Sequence, residues 1–317
     1  MVLGDGRALG GASCAGRPAQ MTLRFLALLV AVLAVVGCGD ASSSAPTPQP
    51  LPSAPAVTPD PALTSLLPAQ VLASRELRIG TDATYMPDEF VAGDGVTISG
   101  WDMQLATAVA AVLGLHPHLV NTTIDTIVAD VANGRYDIAV SSIVDTKDRE
   151  RSVDFVTYFN AGSSFFTRAH GGAHIVSLAD LCGHRVAVDS GTSQEVDAQT
   201  QAQTCKTQSR APLTVDVHAD QASADAALAA GSDDVDMADS PIAAYEVHQS
   251  KGAFVLTGMP YGVMPYGMAT AHGGGLTQAV LAALKDLIAS GVYTRILAAW
   301  GEQGGAVTTP SVDGATS

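Results

Sequence analysis

The longest unbroken run of apolar side chains in these 317 residues is twelve, from Phe25 to Val36. A helix that crosses a bilayer needs about 20, so the sequence holds no membrane span. Basic residues are also scarce, 16 Lys and Arg against 31 Asp and Glu, for a formal charge of −15. That sign argues against nucleic acid and anionic lipid as partners. It says nothing of a small ligand, because the field inside a site need not follow the net charge. There are four cysteines and no Cx₂C pair, and the histidines at His116, His118, His170 and His174 lack a carboxylate or cysteine set at ligand spacing. No Ser/His/Asp order, HExxH or phosphate loop is present. The expectation is a chain with no metal, no cofactor and no catalytic centre.

What is present begins with an export address. Arg24 precedes the apolar run, and Gly37-Cys38 follows it. A short apolar run ending in small residues reads as a secretory signal. Met21 is a possible true start. Val35-Val36-Gly37-Cys38 resembles a lipobox, which predicts cleavage after residue 37, lipidation of Cys38 and a place on the outer face of the cytoplasmic membrane. Residues 38–69 are rich in Pro, Ser and Ala, with eight prolines from Pro46 to Pro68. Such a composition reads as an extended linker. Without residues 1–37 the formal charge becomes −17. Cys182 and Cys205 then remain as an even pair in an exported chain, which predicts a disulfide.

From Leu77 onward, strand and helix signals alternate, and the alternation restarts near Ser177. This predicts an α/β protein of two lobes, each an open sheet flanked by helices. Three junctions in it carry chemistry. After the buried strand around Ile138 comes SSIVDTKDRERSVDF, with two hydroxyls and Arg149 in a short polar loop. It is either a strand end with a salt-bridging Arg or a seat for a small carboxylate, which a guanidinium grips with two parallel bonds. In VAVDSGTSQE, Gly191 permits a tight turn, and Thr192 or Ser193 can cap a helix whose free N–H groups favour an anion. In VDMADSPIAAY, Asp239 ends a strand just before a helix. It is either the helix cap or a counter-ion for an ammonium. Together the three describe a site for a free α-amino acid.

The order and spacing of RIGTDATYMPDEF, GWDMQLATAVAAVLGL, NGRYDIAVSSIVDTKDRERSVDFVTYF, LADLCGHRVAVDSGTSQ, DMADSPIAAY and LKDLIASGVYTRILAAWG resemble the extracytoplasmic amino-acid-binding proteins of bacterial ABC importers. The resemblance covers residues 70–305. It implies a periplasmic-binding-protein-like fold with a two-strand hinge at Phe165–Arg168 and Tyr266–Ala269. Lobe 1 would comprise residues 70–167 and 268–305, lobe 2 residues 168–267, and residues 306–317 would form a flexible tail. It also implies roles for single residues. Arg149 would hold the ligand carboxylate with the Ser142 hydroxyl, the Val144 amide and Ser193. Asp239 would take the ammonium, and Tyr85 would stack over the ligand side chain. Asp82 and Asp189 would face that side chain and favour one with N–H donors. Ile124 stands where an aromatic is frequent, and Val144 where Ser or Thr is. The implied partners are a free polar amino acid, an ABC permease and the membrane through a lipid anchor, the protein itself being a monomer. Two other classes share the scaffold: a sensor for a membrane kinase, and an enzyme.

Overall fold

In the computed structural model, which describes residues 51–316, two short helices, α1 (Pro61–Thr64) and α2 (Ala69–Ser74), precede the first strand. The signal, Cys38 and the first part of the linker lie outside the described residues. The later part of the linker is not an extended tether. Asp60 caps α1 and its N–H donates to Val112 O, Thr64 donates to Leu113 O, and Leu67 is buried in the adjoining core. Apolar side chains at Val57, Leu63 and Leu67 give the segment a face to bury, which outweighs the prolines around it.

The strands that follow are β1 (Glu76–Thr81), β2 (Thr84–Tyr85), β3 (Glu89–Val91), β4 (Ile98–Ser99), β5 (His116–Asn121), β6 (Ile138–Ala139), β7 (Val153–Arg168), β8 (Arg185–Asp189), β9 (Thr214–His218), β10 (Val235–Asp239) and β11 (Phe254–Ala271). The helices between and after them are α3 (Trp101–Val112), α4 (Ile124–Ala132), α5 (Ser193–Thr207), α6 (Gln221–Ala230), α7 (Ser240–Gln249), α8 (Gly275–Ala289) and α9 (Val292–Trp300). Eight strands run in the order β5-β1-β6-β11-β7-β10-β8-β9, and β2-β3-β4 form a small second sheet.

The expected α/β architecture is present, with one refinement. Each lobe has its own parallel strands, β5-β1-β6 in the first and β10-β8-β9 in the second. The antiparallel pair β7 and β11 is long enough to belong to both, so the two sheets join into one. The crossing lies a few residues from the expected place. Phe165–Thr167 are already in register with β10, and Tyr266–Ala271 are already paired with β7 or β6 in the first lobe. The chain passes between lobes at residues 160–163 and 261–265, where the pairing of β7 with β11 slips in register.

The first lobe is built on aromatics. Trp101 is fully buried, 4.8 Å from Phe159 and 5.9 Å from Tyr158 between ring centroids. Burying a ring of this size stabilises by about 4–6 kcal/mol. The helices α8 and α9, broken at Gly291, both pack on this core. The second lobe has a smaller core around Phe165, Val186, Val188 and Met237, and the Cys182–Cys205 disulfide joins the turn before β8 to α5, as expected.

Residues 306–316 are not a loose tail. They run beside β7, bridging Phe159 with Ala306 and Val156 with Val312, and Pro310 and Ala315 are buried. The segment saturates backbone groups that the edge of β7 would otherwise leave open to water. Among the described residues no helix is long and apolar enough to cross a membrane.

Candidate functional site

The loop after β6, the start of α5 and the end of β10 converge between the lobes. They line a tight space with Tyr85, Ile124, Ser141, Ser142, Val144, Arg149, Thr192, Ser193, Gln194 and Asp239 around it. Its volume is about 10 Å³, which is room for about one water. A larger cavity of about 630 Å³ opens outward from the same Val144, Arg149, Ser193 and Asp239 toward Val196, Asp197 and Met264.

Arg149 begins a 3-10 turn, and its position draws on both lobes. Nη1 donates to Val144 O at 2.8 Å in its own loop, and Nη2 donates to Gly191 O at 2.7 Å in the second lobe. Burial lowers the guanidinium pKa, and nearby Asp239 partly restores it. Gly191 sits at φ +79°, and a Cβ there would lie 2.4 Å from Asp125 Cα in the first lobe. Only glycine permits this approach.

Thr192 is the cap of α5. Its side chain accepts from the Glu195 N–H at 3.2 Å, and Glu195 reaches back to the Gly191 N–H at 2.7 Å. This reciprocal pair resembles a capping box, with the return bond made to the residue before the cap. It leaves Ser193, the first residue of the helix, and Gln194, the second, turned to the cleft.

Asp239 occupies the cap position of α7 but makes no capping bond. Its carboxylate accepts from Gln194 Nε2 at 2.7 Å, and the same amide donates to Ser163 at 2.8 Å. Burial raises the Asp239 pKa to about 6, opposed by the nearby Tyr266 hydroxyl, the Gln194 amide and the charge of Arg149. The carboxylate therefore lines the cleft and is not spent on capping the helix. Gln194 went unnoticed in the sequence as a site residue. Its one signal is its place, second in a helix that starts at the cleft.

The other expected residues fall in two groups. Ser142, Val144 and Ser193 line the space with Arg149 and Asp239. Ser142 stands in the left-handed region at φ +48°, and its hydroxyl is turned away from the cleft, toward Asp88 Oδ2 at 2.8 Å and Glu89 Oε2 at 3.3 Å. Val144 presents its carbonyl to Arg149. Asp82 and Asp189 line neither cavity. Asp82 accepts from Thr84 Oγ1 and the Ile124 N–H, both at 2.9 Å, and burial raises its pKa to about 6. Asp189 accepts from the Tyr85 hydroxyl. Burial raises its pKa to about 7, and its other oxygen meets no donor. Tyr85 therefore both lines the tight space and reaches across the cleft, packing on Phe166, Leu228 and Ile242 of the second lobe.

This arrangement has known relatives. Residues 77–303 match the family "Bacterial extracellular solute-binding proteins, family 3". The arginine-binding protein ArgT of Corynebacterium glutamicum is 30% identical over 252 residues, covering 78% of this chain and 82% of that protein. An ancestral arginine-binding protein solved with arginine superposes with a TM-score of 0.66 at 28% identity, covering 71% of this chain and 97% of the other. The ancestral amino acid-binding protein AncCDT-1, a precursor of cyclohexadienyl dehydratase, gives 0.66 at 30% identity over 74% of this chain and 99% of its own. The chain belongs to the bacterial extracellular solute-binding proteins of family 3.

Proposed function

We propose that the protein captures a free polar α-amino acid between its lobes and hands it to an ABC permease. It would do so from the outer face of the cytoplasmic membrane, anchored by a lipidated Cys38. One observation carries the reading: Arg149 from the first lobe and Asp239 from the second face one cleft, and among the described residues each bonds only to uncharged groups. A buried guanidinium and a buried carboxylate in that state favour a ligand with a carboxylate for one and an ammonium for the other. Because the two come from opposite lobes, only the closed form satisfies both ends of the ligand. That differential contact is what lets a ligand drive closure.

For the ligand side chain, the second oxygen of Asp189 lies behind Tyr85, outside both cavities, and would favour N–H donors that reach past the Tyr85 ring, as in glutamine, asparagine or a basic amino acid. The arginine named for the relatives is consistent with this. A thermal-shift screen against the free amino acids tests the proposal. A ligand at about 100 times its Kd adds roughly 2.7 kcal/mol to stability. Silence across the screen rejects the amino-acid site, and preference for glutamate or aspartate rejects only the side-chain reading. Fractionating cells that express the native gene or Cys38→Ser tests the anchor, which fails if both proteins partition alike.

A further inference from the structure

We infer that residues 306–316, which lie beyond the family match ending at residue 303, form a strap that positions Arg149 by clamping both flanks of its loop. The inference rests on the reading of Arg149 as the ligand's carboxylate partner.

The strap is held to β7 by paired bonds. Thr157 N–H donates to Ser311 O at 2.9 Å, and Ser311 N–H donates to Thr157 Oγ1 at 3.0 Å. Asp313 donates its N–H to Phe155 O at 2.9 Å and accepts from the Phe155 N–H at 2.9 Å. The next two residues leave β7 and turn to the Arg149 loop. Gly314 N–H donates to Asp145 Oδ2 at 2.8 Å, and Ala315 N–H donates to Glu150 Oε1 at 3.2 Å. A Cβ on Gly314 would lie 2.7 Å from Thr157 Cγ2, so the turn runs close against the strand.

Asp145 precedes Arg149 by four residues, is fully buried, and is also tied by its N–H to Pro265 O at 2.8 Å. Glu150 follows Arg149 directly. The loop is therefore pinned on one side by β11 and on the other by the strap, with the guanidinium between. A loop released from one side has to be ordered when the ligand binds, and that entropy is taken from affinity. Asp145 is on this account a positioning residue, and its acceptor oxygen matters more than its charge.

The test compares the full chain with one ending after Pro310, with Asp145→Ala and with Asp145→Asn, whose amide oxygen still accepts from Gly314. Amide hydrogen exchange is followed without ligand, and binding of L-arginine and L-glutamine is measured by calorimetry. The expected result is faster exchange confined to residues 145–152 in Asp145→Ala, joined in the shortened chain by Phe155 and Thr157, whose N–H acceptors are removed, with roughly ten-fold weaker binding in both. Asp145→Asn should restore both. Unchanged exchange in this loop overturns the inference, as does faster exchange throughout the first lobe, which marks a purely structural role. Local loosening with unchanged affinity also overturns it. If the full chain binds neither probe, the ligand assignment has failed and the exchange data alone decide the strap.

Discussion

The two lobes hold their charges in different ways. In the first, Arg149 rides on a surface loop fastened to a deep aromatic core, and its guanidinium is directed by backbone carbonyls. In the second, Asp239 ends a fully buried strand over a much smaller core, and a side-chain amide directs it. The cation is mounted on a loop that must be kept in place, whereas the anion stands on the sheet itself. A ligand that joins them reads the distance between a loop of one lobe and a strand of the other, and that distance reports closure.

The largest effect should come from removing either charge. Arg149→Ala should leave a ligand carboxylate without its cation, and Asp239→Ala should leave the ammonium without its anion. Each costs about 2–5 kcal/mol, a thirty-fold or greater loss of affinity by calorimetry. Near-wild-type binding in either variant would break the comparison at its base. Ser193→Ala should cost far less, because the helix N–H groups remain.

The smaller core of the second lobe implies dependence on its disulfide. Closing the 23-residue separation between Cys182 and Cys205 should stabilise by about 3 kcal/mol in the chain-entropy view. Cys182→Ser/Cys205→Ser should lose about that much in denaturant unfolding, with amide protection falling first in β8 and β9. Equal loss in both lobes would show that the small core is not the weaker half.

How much of this was legible in sequence follows from what each feature depends on. The strand ends at Ala139, Asp189 and Asp239 are local, a short apolar run stopped by a turn or polar residue, and they could be read directly. Arg149, Ser193 and Asp239 could be placed because their neighbours in sequence are also their neighbours in the cleft. The hinge was displaced because paired strands have no local mark where one partner is exchanged for another. Residues 306–316 read as a tail because their polar sequence hides their partner, the edge of β7 some 150 residues earlier. The turned-away Ser142 hydroxyl, the occupied carboxylate of Asp82 and the Tyr85 bond to one oxygen of Asp189 are choices among tertiary hydrogen bonds, to which sequence is blind.

A pH titration sharpens the contrast, because only the anionic side changes charge in an accessible range. The Asp239 pKa is raised by burial to about 6, so the fold binds its proton more tightly than the unfolded chain does. Its contribution to stability is therefore present below about pH 4 and is lost as pH rises through about 6. Asp82 and Asp189 act in the same direction, their pKa values raised by burial to about 6 and about 7. Ligand binding should run the other way, since an ammonium needs the ionised carboxylate. Affinity should fall by up to about ten-fold per pH unit below about 6, and Asp239→Asn should flatten that slope. Parallel slopes for stability and affinity would contradict the assignment.

The smallest effect concerns Tyr85, whose hydroxyl bonds directly to a carboxylate of the other lobe. Tyr85 donates its hydroxyl to Asp189 while its ring packs on Phe166, Leu228 and Ile242. Tyr85→Phe keeps the packing and removes the donor. A neutral hydrogen bond contributes about 1 kcal/mol net, and one to a charged acceptor about 1.5–3 kcal/mol. Burial already raises the Asp189 pKa to about 7, which places the loss near the lower figure around neutral pH. The free protein should then spend more time open, which small-angle scattering would register as a larger radius of gyration without ligand and an unchanged one with it. If the bond serves closure alone, all amino acids should lose affinity by the same factor. If Tyr85 and Asp189 also read the ligand side chain, the loss should be uneven across glutamine, asparagine and the basic amino acids. The pattern of that loss, more than its size, separates a latch between the lobes from a wall of the pocket.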